Sequence, residues 1–99
     1  MITSINSVTG VETRTPSQIS KEVEFLSSTL SLLRDSDEIS NDEFLEAGSI
    51  QGGLNLLSAM ITNGAVADEL EIQISSLKER ANSICEKHPT LDGKIESKR

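Results

Sequence analysis

Tryptophan and tyrosine are absent from this chain, and Phe25 and Phe44 are its only phenylalanines. Leu, Ile, Val and Ala must therefore build the core, without the large buried area that aromatic rings supply. The single cysteine, Cys85, excludes an internal disulfide and fits a reducing compartment. No stretch reaches the ~18–20 uninterrupted apolar residues of a membrane span. Residues 47–63 come closest, and Gln51, Asn55 and Asn63 interrupt them. The first ten residues carry neither a basic n-region nor an apolar h-region, so no secretory signal peptide is expected and placement is predicted as cytoplasmic. Basic residues are missing where acidic ones crowd. Residues 35–46 hold Asp35, Asp37, Glu38, Asp42, Glu43 and Glu46 with no Lys or Arg, and they account for most of a net charge of −7. Such a balance disfavours nucleic acid, whose phosphates need a cationic footprint.

What is present reads as three amphipathic helices in one small all-α domain of 99 residues. Thr15, Pro16 and Gln18 signal the first start: a cap, a first-position proline and the far end of a capping box. Ile19, Val23, Leu26, Leu30 and Leu33 follow at 4,3,4,3 spacing, widened by Phe25 and Leu32, and predict a helix over 16–34. Ser40 with Glu43 forms a second capping box, and Ile39 with Phe44 stands at the positions of a hydrophobic staple. Ala47, Ile50, Leu54, Leu57 and Ile61 carry that helix over 41–62, to a stop at Asn63-Gly64. Val66, Leu70, Ile74, Leu77, Ala81 and Ile84 mark the buried side of a third, over 65–87, which His88 and Pro89 end. Short connections favour an antiparallel up-down-up bundle over residues 15–88. Residues 1–14 read as a flexible N-terminal arm and 89–99 as a polar C-terminal tail.

Residues 47–63 run for seventeen positions without a charge, and they carry Gly48, Gly52 and Gly53 where a solvent-facing helix would carry Lys and Glu. A helix without a charged face is covered on more than one side. In so small a domain the expected cover is a second copy, making a homodimer, or another protein. The predicted partner interface is Gly48, Gly52, Gly53, Leu56 and Met60, with Asp35, Asp37 and Glu38 as an acidic corner suited to a basic protein partner.

Candidate chemistry fails residue by residue. DSDEISNDEFLE, from Asp35, resembles a calcium loop at positions 1, 3 and 12, but Ile39 replaces an oxygen ligand at position 5 and Ser40 replaces the turn glycine at position 6. Gly48-x-x-x-Gly52 lacks the Gly-Lys-Ser/Thr ending of a phosphate loop. His88 has only Cys85 as a soft neighbour, too few ligands for zinc, and reads as a solvated helix-terminal histidine. Cys85 has no cluster to lower its pKa, and the serines have no histidine base in a triad pattern. A helix–turn–helix over 54–80 would set Asp68 and Glu69 against phosphate. No catalytic residue, metal or cofactor is therefore expected, and no enzyme. The predicted function is a protein-binding module: a small regulator, inhibitor or chaperone-like adaptor. The alternative is a structural or exported subunit of a larger assembly, with residues 1–14 as an export signal or a docking arm. Its Ser/Thr/Ile-rich, charge-poor first fourteen residues resemble in composition the signals read by type III secretion systems, which implies export without a signal peptide.

Overall fold

The computed structural model describes residues 1–9 and 15–99, and every regular element among them is helical. In chain order they are α1 (Ile2–Asn6), α2 (Pro16–Asp35), α3 (Asn41–Thr62), α4 (Ala67–Lys87) and α5 (Leu91–Glu96). The long α2, α3 and α4 are the three helices predicted from periodicity, with ends displaced by two residues at most.

Local chemistry sets those ends. Thr15 Oγ1 accepts from the Gln18 amide at 3.1 Å. Ser40 and Glu43 close a reciprocal capping box: the Ser40 amide donates to Glu43 Oε1 at 2.9 Å, and the Glu43 amide to Ser40 Oγ at 3.1 Å. After α2 the chain turns through Asp37 at φ 59°, and the Glu38 amide reaches back to the Leu33 carbonyl at 2.9 Å. Gly64 plays the same part after α3, at φ 79°, with the Ala65 amide on the Met60 carbonyl at 2.9 Å. The start of α4 differs from expectation. Val66 is its extended N-cap residue, lying ahead of the first turn, so its side chain is 62% exposed and does not join the buried stripe.

α3 is the middle helix, packed on α2 along one side and α4 along the other. It runs antiparallel to α4, since residues 46, 49 and 53 of α3 meet residues 87, 80 and 73 of α4. α2 and α4 make little direct contact; α1 lies on α4 and α5 on α2. The core is therefore closed by the chain's own ends.

Those ends are where the expectation of arm and tail parts from the structure. Residues 10–14 of the predicted arm lie outside the described residues. Met1, Ile5 and Val8 are buried with Leu91 and Ile95 from the predicted tail, in one cluster with Ile19, Leu26, Ile74 and Leu77. Asp92 accepts from the Ile2 amide at 3.1 Å, so the first turn of α1 is satisfied from α5. Arg99 grips Glu22 of α2 with two nitrogens, at 3.0 and 2.9 Å, and stacks 4.2 Å above the Phe25 ring. A third bond runs from the same guanidinium to the buried Ser4 hydroxyl at 3.2 Å. Burial pushes the Glu22 carboxyl up, but hydrogen bonds from Arg99 and Ser4 outweigh it and hold the group below the ordinary glutamate range. At Glu96, burial is outweighed in the same way by bonds from Arg99 and Thr3.

Two outcomes follow for stability. Ser40→Ala should cost about 0.5–2 kcal/mol in urea denaturation, because the first-turn amide of Glu43 loses the Ser40 hydroxyl as its acceptor. A carboxylate whose folded pKa is depressed contributes stability that is complete above its unfolded value and lost as pH falls through the folded one. The urea midpoint should therefore drop as pH falls from about 5 to 3, through and below the ordinary glutamate range. Glu22→Gln should lower the midpoint at pH 7 and flatten that acid limb; an unchanged limb would remove the clamp from the explanation.

Candidate functional site

Helical spacing puts the unusual part of α3 on its outer side. Leu45, Gly48, Gly52, Leu56 and Ala59 recur at steps of three or four and share the face opposite buried Ala47, Ile50, Leu54 and Leu57. Leu45 is 61% exposed and Leu56 53%, while Gly52 and Ala59 are exposed and Gly48 half-buried. No charge interrupts the chain from Ala47 to Ala67. Near the turn into α4 the face deepens into an open groove of about 470 Å³, lined by Leu56, Ala59, Met60, Ala65, Val66 and Glu69.

The three glycines have different environments. A Cβ at Gly53 would overlap the Leu77 side chain of α4, so this glycine is used for close packing inside the chain and offers no surface to a partner. That corrects its assignment to the interface. Around Gly48 and Gly52 an added Cβ would meet nothing within 4 Å. Leu56 and Met60 line the same groove, although Met60 is half-buried against the core. Leu45, Ala59 and Val66 belong with them and were not chosen from the sequence. Leu45 and Ala59 lie off the buried stripe, which is the signal that could have found them.

The border with α4 is polar. Gln73 Nε2 donates to the Gly53 carbonyl at 3.3 Å, and Arg80 to the Ser49 carbonyl at 3.3 Å. Glu46 holds Lys87 at 2.5 Å and His88 at 2.9 Å through its two oxygens. The bond from Lys87 lowers the Glu46 carboxyl, and His88 adds to it against the opposing effect of burial. His88, expected as a solvated helix end, is thus half-buried and tied to α3. Sequence distance hid this pair, since Glu46 is 42 positions away.

The acidic corner closes the opposite end of the face. Asp35 lies 3.5 Å from Arg34, whose guanidinium stacks 4.2 Å above the Phe44 ring. Asp37 is exposed at the left-handed turn, and Glu38 accepts from the Ser36 hydroxyl at 2.7 Å. Glu46, at position 12 of the calcium-like stretch, is turned to Lys87. The corner therefore stands beside the α3 face, and four of its six carboxylates are engaged: Asp35 by Arg34, Glu38 by Ser36, Glu43 in the capping box and Glu46 by Lys87 and His88.

Burial pushes the Cys85 thiol up, and the Asp92 charge adds to the rise, away from a reactive thiolate. Among the described residues, no three of His, Cys, Asp and Glu converge where they could hold a metal ion. No helix of the described residues is long and apolar enough to cross a membrane. Compared with protein-family models, with curated proteins and with solved structures, the chain finds no match.

The glycine environments separate by mutation. Gly52→Ala should stabilise the fold by about 0.5–1 kcal/mol, since alanine is the better helix former and meets open space. Gly53→Ala should destabilise it by roughly 1–3 kcal/mol, because Leu77 is fully buried and must repack. Urea denaturation of both variants checks the sign; equal shifts would mean α4 does not seat on Gly53.

Proposed function

We propose that this chain is a non-enzymatic protein-binding module, a small regulator, inhibitor or chaperone-like adaptor, that takes its partner on the outer face of α3. The observation that carries this reading is the exposure of Leu45, Gly52, Leu56 and Ala59 on a helix without a charge from Ala47 onward. Large aliphatics gathered on one uncharged face mark an interaction site more often than scattered exposed leucines do.

The acidic corner favours a basic partner, by steering its approach and by relieving repulsion among carboxylates. A homodimer through α3 fits less well. Stacking two copies in parallel sets corner against corner, and stacking them antiparallel sets the corner against Asp68 and Glu69 at the far end. The alternative of an exported or structural subunit with a docking arm would require Met1, Ile5 and Val8 to leave the core they share with Leu91 and Ile95.

The test is affinity capture from native lysate with the wild type, with Leu56→Asp, and with Ile72→Asp as a control on the outer side of α4, where Ile72 is 70% exposed. A protein lost by Leu56→Asp and kept by Ile72→Asp is the expected result. Its retention should fall between ~50 and 500 mM salt, as the Debye length shortens from roughly 14 to 4 Å. Identical captures from wild type and Leu56→Asp would refute the assignment of the face. A dimer at ~100 μM in light scattering that Leu56→Asp dissolves would give the face to a second copy instead.

A further inference from the structure

We infer that the outer face of α3 receives a basic amphipathic helix of another protein, with an apolar seam along Leu45, Gly52 and Leu56 and cationic residues at both ends. The inference rests on the protein-binding reading and names the occupant.

Shape supplies the first argument. The face follows one helix of 22 residues, roughly 33 Å at 1.5 Å per residue, so its natural complement is another helix of similar length. Open space around Gly48 and Gly52 lets a second backbone come closer than the usual 8–10 Å between helix axes. The open groove at Leu56, Met60 and Val66, of about 470 Å³, has the volume to take one apolar anchor, the kind of contact by which grooves hold an amphipathic helix. An added strand is not suited to this face, because no sheet edge occurs among the described residues.

Charge supplies the second. Asp37 and Asp42 stand at the α2–α3 end, and Asp68 with Glu69 at the other, where Glu69 forms part of the groove wall. Between them the face is neutral. Along the α4 border Lys87 is paired with Glu46, while Arg80 donates to the Ser49 carbonyl and keeps its charge beside the middle of α3, away from both ends. An occupant with acidic ends would meet like charge twice, and one with basic ends would meet opposite charge twice, in either direction along α3. Both ends therefore discriminate by sign, while the middle selects for small and aliphatic side chains.

The test uses the full chain and two synthetic helical peptides as long as α3. Both carry the same Ala/Leu seam, one with lysines in its two terminal turns and the other with glutamates. Fluorescence anisotropy should give the lysine peptide an affinity at least about tenfold higher at low salt, a difference of about 1.4 kcal/mol. Asp42→Asn combined with Glu69→Gln, both exposed and outside the core, should cut that preference to about threefold or less. Amide shifts on the isotopically labelled chain should cluster on α3 and the groove. Equal affinity for the two peptides, or shifts confined to other surfaces, would overturn the inference. If neither peptide binds while Leu56→Asp still loses its captured protein, a helical occupant is refuted and the protein-binding reading stands. If Leu56→Asp changes neither capture nor peptide binding, both are refuted.

Discussion

The seating of Leu77 on Gly53 is the contact from which the rest of the arrangement follows. Because residue 53 has no Cβ, α4 comes close enough for Gln73, Arg80 and Lys87 to reach α3, two of them through its carbonyls. A larger side chain would hold the helices apart and leave those carbonyls to solvent. Close docking of α4 on one flank, with α2 on the other, fixes which side of α3 remains outside. The exposed face is therefore a consequence of the internal packing.

The same geometry explains why the chain's ends join the core. With α2 and α4 both committed to α3, the apolar sides of the outer helices would stay open between them. α1 and α5 fill that space, bringing Met1, Ile5, Val8, Leu91 and Ile95. A domain this small is short of core, and additions from its own ends act as a second copy would. The argument for a dimer from a thin core is weakened accordingly; the face of α3 is a separate matter.

Much of the fold was legible because its signals are local. Thr15, Ser40 and Gly64 begin or end helices through bonds spanning a few residues, and stripes such as Ile19 to Leu33 need only periodicity. α1 and α5 gave no such signal. Helices of five and six residues are too short to be stable alone, and the cap on α1 comes from Asp92. The candidate site was half legible. Absence of charge pointed to α3, but composition cannot say which of three neighbouring glycines lies under Leu77 and which two lie open. The pairing of Glu46 with His88, and the clamp of Arg99 on Glu22, are tertiary facts between residues far apart in sequence.

Glycine and charge are placed on this surface in a way that the chain's own folding does not favour. Gly48 and Gly52 sit within a helix and meet nothing, each costing about 0.5–1 kcal/mol against alanine. Lysine or glutamate there would form the helix better and could add pairs one turn apart. At the left-handed turn after α2, where glycine is the favoured residue, the chain instead carries Asp37, a carboxylate among carboxylates. Exchanging the two choices would improve local propensity and lessen like-charge repulsion without disturbing any core contact. In a domain whose stability is only ~0.05–0.15 kcal/mol per residue, such costs are a sizeable share of the total. Gly53 has its offset inside the chain, in Leu77. Gly48 and Gly52 meet nothing inside the chain that supplies one, and the occupant proposed for the α3 face, close to the glycines and opposite in charge to the corner, would supply it.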